Sequence, residues 1–584
     1  MRLAVLPLLG LAGVAAWSQQ AAPSAQDELL RAMHDELDRT RQMRFPNLEP
    51  PYFVQYLLDR EETFTVSASL GGLLSQRRET IRQPQVTIRV GDYQFDNTNY
   101  MGSGFNFGSR YDLGRFPLED RYDVLRRYLW LQTDSAYKSA VEAISRKRAA
   151  LRNVTQNDRL SDFAHAPAVK HARPLPSLSI DENFWAKEVR TLSAVFAQYR
   201  EIKNSEVEFE SAVGGFTMIN SEGSEVREPE VAHLLRIRAA AQAEDGMTLR
   251  DAVTFHATDA LHLPVAEEMD RATRKLAESV IALAHAPKGE DYNGPVLFEG
   301  AAGPQILTEV LGKALVLTRR PVAEGGRGGG FQPSELEGRI GARVLPDSFE
   351  VVDDPTQTEW HGRPLFGHYE VDREGVVPVP VKVVEKGALK GYLLTRQPVR
   401  GYEGSNGRAR LPGNFGASTA TFSNLFFHSS DTVPAADLKK KLIEIIQARG
   451  KPYGIIVRKM DFPSSASLDE ARRLIGASQG GRPISIPILA YKVFPDGREE
   501  LVRALHFRGL NTRSLKDILA AGDDNVLFEY MDNPAPFALI GGAGYTTEAA
   551  VIGPSILVDD LELHPLEEEQ PKLPVVTAPD LTVK

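Results

Sequence analysis

Thr308, Glu309 and Lys313 are the residues of this chain whose types and spacing bear most directly on chemistry. They lie in the run Gly303-Pro-Gln-Ile-Leu-Thr-Glu-Val-Leu-Gly-Lys313, and the stretch Ile306 to Leu315 is apolar enough to form a buried helix. A strand-like run, Pro295-Val-Leu-Phe298, and a turn of small residues, Glu299 to Pro304, precede it. In zinc hydrolases a helical His-Glu pair supplies a metal ligand and a general base, and a second His follows about a turn later. Here the carboxylate remains and the imidazoles do not. A threonine hydroxyl is a poor zinc ligand, and an ammonium repels the ion. Two uses remain for the pair. Glu309 and Lys313, four apart with the acid first, could form a helical ion pair worth a few tenths of a kcal/mol. Alternatively, the Lys313 ammonium stands in for the missing cation and keeps Glu309 ionised.

Read with its flanks, the segment resembles a known family. Gly294-Pro-Val-Leu-Phe-Glu-Gly-Ala-Ala-Gly-Pro304 followed by Leu307-Thr-Glu-Val-Leu-Gly-Lys313 is similar to the core of the TldD/PmbA metallopeptidases. The similarity continues in order through Ser334 to Val344, Val351-Val-Asp-Asp-Pro-Thr356, His368 to Gly375, Val384 to Tyr392 and Thr421-Phe-Ser-Asn424. It ends with Gly542-Ala-Gly-Tyr545 and Gly553-Pro-Ser-Ile-Leu-Val558. The resemblance implies two histidine ligands at the positions of Thr308 and Lys313 and a cysteine ligand at or near Ala543. This chain has no cysteine at all. It therefore implies no metal and no cofactor here, although zinc serves the active relatives, and it leaves Glu309 as a vestigial motif glutamate. The family's TldE-type subunits lack the His-Glu motif and pair with TldD-type subunits that have it, and this chain resembles that partner type. The partners implied are a peptide or unfolded protein segment, and an active TldD-type homologue or a second copy.

Other candidates are weaker. A displaced metal site could use His361, His368 or His428, none of which has ligand spacing. His256 and His262, six apart, would face different sides of a helix. Glu324-Gly-Gly-Arg-Gly-Gly-Gly330 lacks a Gly-Lys-Ser/Thr ending and reads as a loop, with a flap over the cleft as the second reading. Ser418 lacks a nucleophile-elbow pattern.

The elements that must position the motif follow from composition and periodicity. The chain has 584 residues, 42% of them hydrophobic, which is ample for more than one core. Its net charge of −10 argues against nucleic acid as the main partner. The basic clusters Arg146-Lys-Arg148 and Lys439-Lys-Lys441 read as solvated helix faces. Residues 1–18 read as a signal peptide, which implies an exported, periplasmic protein. The apolar run is short of the roughly 20 residues of a membrane span, and none follows it.

The fold expected is α+β, with an N-terminal domain of a sheet carrying helices (25–286) and a mainly β C-terminal domain (291–565) around the motif helix. A Pro- and Glu-rich tail (566–584) completes the chain. Helices are expected at Gln26 to Gln42, Tyr122 to Leu131, Ser135 to Arg152, Phe184 to Tyr199, Met269 to Ala284 and Ala435 to Arg449. Strands are expected at Tyr52 to Tyr56, Thr63 to Ser69, Gln85 to Val90, Val207 to Val213, Phe216 to Ile219 and His233 to Ala240. Further ones are Phe349 to Asp353, Val376 to Val384, Tyr453 to Arg458, Ile484 to Val493 and Glu500 to Phe507. The function expected is that of a catalytically silent subunit of a peptidase assembly. The alternatives are a metallopeptidase with a displaced metal site and a stand-alone peptide-binding or scaffold protein of the cell envelope.

Overall fold

The computed structural model describes residues 27–101, 116–152, 160–323, 333–412, 418–461, 484–532 and 546–566. The signal segment, the glycine-rich run at 324–330, Ala543 and the tail beyond 566 lie outside these residues.

The chain is α+β, as its periodicity implies. In the N-terminal half, four long strands form an antiparallel sheet in the order Gly72–Val90, Pro51–Ser69, Ile202–Asn220, Glu225–Gln242. Thr248–Ala257 and the short Lys170–Ala172 both pair with the last of these. The four α-helices among the described residues of this half lie on one face. Glu28–Arg41 and Tyr122–Leu151 cover Val54, Tyr56, Leu58 and Ile88, while Glu182–Ala194 and Ala266–His285 cover Phe64, Val66, Phe209 and Leu235. Val54, Tyr56, Leu58, Phe64, Val66 and Ala68 share parity on one strand, and the two-residue period puts them all on the helix side.

Several expected pieces are continuous. Tyr52 to Tyr56 and Thr63 to Ser69 belong to one 19-residue strand, and Val207 to Val213 and Phe216 to Ile219 to another. The interruption in the second sequence is Gly214-Gly215. A Cβ on Gly215, at φ +141°, would stand 2.0 Å from the Glu228 carbonyl, so glycine lets neighbouring backbone approach there. The two helical stretches between 122 and 152 are one helix, Tyr122–Leu151. Lys147, expected on its solvated face, is instead buried and donates to Asp162 at 2.5 Å and to the Asp96 and Thr98 carbonyls. His256 lies on the strand Thr248–Ala257 and His262 in a 3-10 turn, so no helix joins them.

The opposite face of the N-terminal sheet receives the C-terminal half. The segment His368 to Gly375 docks there, with Val371 packed among Leu57, Phe216, Met218 and Val226. Arg373 pairs with Asp59 at 2.6 Å, and the Glu370 amide donates to Glu228 at 2.8 Å.

The C-terminal half holds two larger sheets around one core. An eight-stranded sheet has Tyr292–Phe298 between Gly454–Met460, parallel to it, and Ile556–Pro565, antiparallel. The helix Ala435–Ala448 packs on this sheet through Leu438, Leu442 and Ile446. A six-stranded sheet runs Ala388–Leu389, Val381–Glu385, Phe349–Asp353, Asn424–Ser429, Thr547–Gly553, Val526–Asp532. Of the expected strand Val376 to Val384, only the part from Val381 is in a sheet, because Pro378 and Pro380 lack the amide a ladder needs. No helix among the described residues is long and apolar enough to cross a membrane.

Candidate functional site

The motif helix spans Ala302–Val310 and ends sooner than the apolar run suggests. Gly312–Leu315 is a separate 3-10 turn. The helix starts at once after the central strand Tyr292–Phe298, and Gly303 shows why the turn is built of small residues. A Cβ there would lie 2.2 Å from the Pro554 carbonyl oxygen, so the first turn presses directly on the loop 553–555. Ser555 completes the junction by accepting from the Gly300 amide at 2.8 Å and donating to Asp524 at 2.6 Å. Pro304 falls in the first helical turn, where its missing amide has no intrahelical partner to lose.

Apart from Glu309, every residue of the helix is buried. Thr308 is 1% exposed, and its hydroxyl donates 2.8 Å back to the Pro304 carbonyl. Glu309 accepts from Gln305 Nε2 at 2.9 Å and from the Ser485 amide at 2.8 Å. Gln305 also donates to the Asp461 carbonyl at 2.8 Å, and the Asp461 carboxylate holds Arg250 of the N-terminal sheet at 2.6 Å. Burial raises the Glu309 pKa above the ordinary carboxylate value, and the two donors and the Lys313 charge only oppose that rise.

The expected helical pair between Glu309 and Lys313 does not form. Because the helix stops at Val310, Lys313 turns away and pairs with Asp532, at the end of the strand Val526–Asp532. Thr421 donates to the other Asp532 oxygen at 2.7 Å, and the Lys313 ammonium lies 5.5 Å from the Phe422 ring centre. Tyr530, buried beside Asp532 and Glu309, has its phenol pKa pushed well up by burial first and those two charges next. The ammonium is thus the cation of Asp532, and its effect on Glu309 is outweighed by desolvation.

Segments distant in sequence meet here. Thr421 and Phe422 face Lys313 and Asp532. The next two residues turn to Val351 to Thr356: Ser423 donates to Asp353 from its amide at 2.8 Å, and Asn424 donates to the Asp354 carbonyl at 3.3 Å. Asp353 in turn holds the buried Arg408 at 2.5 Å. These segments therefore form the scaffold under the motif helix.

The side chains present do not fit a family-type zinc site. The Thr308 hydroxyl is spent on a backbone carbonyl, and Lys313 brings a positive charge to the second position. Among the described residues, no group of three or more His, Cys, Asp or Glu could hold a metal. The alternative histidines are dispersed. His361 stands at φ +50° beside Trp360, His368 Nδ1 is 2.7 Å from the Pro355 carbonyl, and His428 is exposed on Asn424–Ser429. His256 is buried, with its pKa pushed down to about 3 by burial and by Arg236 and Arg363.

Sequence reading missed Asp532, Gln305, Thr421 and Ser485. The spacing of Gln305 and Glu309, four apart on one helix face, was an available signal. Asp532 carries no local signal, because its partner is 219 positions away.

Comparison with known proteins agrees with this architecture. Residues 291–461 match the PmbA/TldA metallopeptidase C-terminal domain. A metalloprotease of Archaeoglobus fulgidus is 36% identical over 78 residues, which span 13% of this chain and 17% of that protein. The fold is that of TldE from Thermococcus kodakarensis, with a TM-score of 0.55 at 13% identity, covering 91% of this chain and 99% of that one. A candidate DNA gyrase modulator from Thermotoga maritima matches at a TM-score of 0.53 and 13% identity, over 88% and 96% of the two chains.

Proposed function

We propose that this chain, a TldD/PmbA-family protein, is an exported, catalytically silent subunit that binds unfolded peptide and assembles with an active metallopeptidase of the same family. One observation carries the reading. Where active relatives place two imidazoles, this chain has a threonine turned into its own helix and a lysine neutralised by Asp532. A peptidase without a polarised water has nothing for Glu309 to deprotonate.

Val526–Asp532 supports the peptide-binding part of the proposal. Among the described residues it is the last strand of the six-stranded sheet, next to Thr547–Gly553, and it ends at Asp532 beside the motif helix. An extended peptide could add to such an edge through main-chain hydrogen bonds.

The test is to mix the protein with a homologue that retains the His-Glu motif. Light scattering should show a stable complex, and peptidase activity should follow the homologue's zinc. A monomer both alone and in the mixture would favour a stand-alone peptide-binding protein of the envelope. Peptidase activity of the chain by itself, abolished by chelation, would favour a displaced metal site.

A further inference from the structure

A second concavity lies away from the motif helix, and its lining is basic in an acidic protein. It has a volume of about 350 Å³ and is walled by residues 335–344 on one side and 511–516 on the other. Arg339, Arg343, Arg513 and Lys516 line it together with Asn511 and Thr512, and Glu335 is the one carboxylate among the described lining residues. Four cations against one anion leave a local excess of three positive charges, in a chain whose net charge is −10.

The cavity is built rather than draped. Both walls are rooted in the core of this half, through Leu336 and Val344 on one side and Leu515 on the other. Glu335 joins them by accepting from the Thr512 amide at 3.3 Å and its hydroxyl at 3.0 Å. Tyr392 braces the first wall by accepting from the Arg339 amide at 3.2 Å while donating to the Leu336 carbonyl. Glu335 is thereby committed to holding the walls, and the cations are left to the space between them. Arg343 reaches Asp347 at 3.4 Å. Arg339, Arg513 and Lys516 have no carboxylate partner among the described residues.

Like charges held together in a concavity repel, and the repulsion is relieved by an anion. Guanidinium forks match the geometry of phosphate and carboxylate oxygens, and several of them suit a group with more than one negative charge. The volume is at the small end of the roughly 300–1,000 Å³ typical of small-molecule sites. We propose that this cleft binds a small, multiply charged oxyanion, of the diphosphate or polycarboxylate class, between Arg339 and Arg343 on one wall and Arg513 and Lys516 on the other. The site is separate from the motif helix, and the Ser334 hydroxyl links its first wall to the turn after that helix by donating to the Ala314 carbonyl.

The experiment is calorimetric titration of the full chain with sodium pyrophosphate and, separately, with citrate. Saturable one-to-one binding of either is expected, and the stronger of the two identifies the class. R513A/K516A should weaken it at least tenfold without changing the thermal melt, because neither side chain has a structural partner among the described residues. Arg339→Ala on the opposite wall should weaken it as well. R77A, on the exposed hairpin of the N-terminal sheet, should not. Absence of saturable binding by both anions, or equal affinity in the wild type and R513A/K516A, would overturn the proposal.

Discussion

Lys313 and Asp532 form an ion pair across the end of the motif helix, with Asp532 2% and Lys313 18% exposed. The position at which the family resemblance implies an imidazole thus carries an ammonium whose counter-ion comes from a strand 219 residues away. Thr421 fixes the second carboxylate oxygen, so Asp532 is held from two sides.

Removing one partner should cost more than removing both. Asp532→Leu alone takes the carboxylate away from a largely buried ammonium and should destabilise by roughly 3 kcal/mol, and Lys313→Met alone does the converse, whereas the two together should cost much less. Urea unfolding of the two single variants and the double variant measures the coupling, which should lie within about 0.5–3 kcal/mol. Additive losses would mean that the pair has no energetic consequence.

Metal content is the second expectation. After dialysis, elemental analysis should find far less than one zinc per chain, because the hydroxyl at 308 and the ammonium at 313 offer the ion nothing. Glu309→Gln should leave the peptidase activity of any assembly unchanged. A fall of about a hundredfold, the scale of general-base catalysis, would show that Glu309 still acts on substrate.

Much of this architecture is legible in the sequence where burial is one-sided. Leu29, Leu30, Met33 and Leu37 repeat at helical spacing and do face the core. The hairpin Pro51–Ser69 and Gly72–Val90 was seen only in pieces, because residues 74–80 are solvated on both faces and show no alternation. That the ligands implied by the resemblance are missing at Thr308 and Lys313 is legible in the sequence, since it depends on residue identity alone. What fills the space is not, since Asp532, Thr421 and Ser485 reach the motif helix through the packing of separate strands.

Lys147 offers a sharper case of the same limit. It lies between two arginines in what reads as a solvated basic face, yet its ammonium is buried against Asp162, and burial lowers its pKa. Lys147→Met should cost about 3 kcal/mol, at the low end for a broken buried pair, because Arg319 still reaches Asp162 at 3.1 Å. Arg146→Ala next to it removes only an exposed pair with Glu142 and should cost under about 1 kcal/mol. Equal costs in thermal or urea unfolding would return Lys147 to the surface.

The contact between the two halves should make stability depend on pH through Glu228. Its side chain is 5% exposed where the C-terminal half docks, accepts from the Glu370 amide at 2.8 Å and lies 2.9 Å from His171 Nε2. Burial, reinforced by the Glu370 charge, raises its pKa to about 7 against the pull of Arg173 and Arg410, and burial lowers that of His171. A carboxyl whose folded pKa lies above its unfolded value favours folding in its protonated form. That contribution is complete below the unfolded value of about 4.5 and is lost as pH rises to about 7. Glu228→Gln keeps the acceptor for the Glu370 amide and has no proton to lose. The variant should therefore gain on the wild type between pH 4.5 and 7, by no more than about 3 kcal/mol for a shift of this size. Urea unfolding of both proteins across that range measures the difference directly. A difference that does not change with pH would mean that Glu228 is ionised in the folded protein at an ordinary pKa.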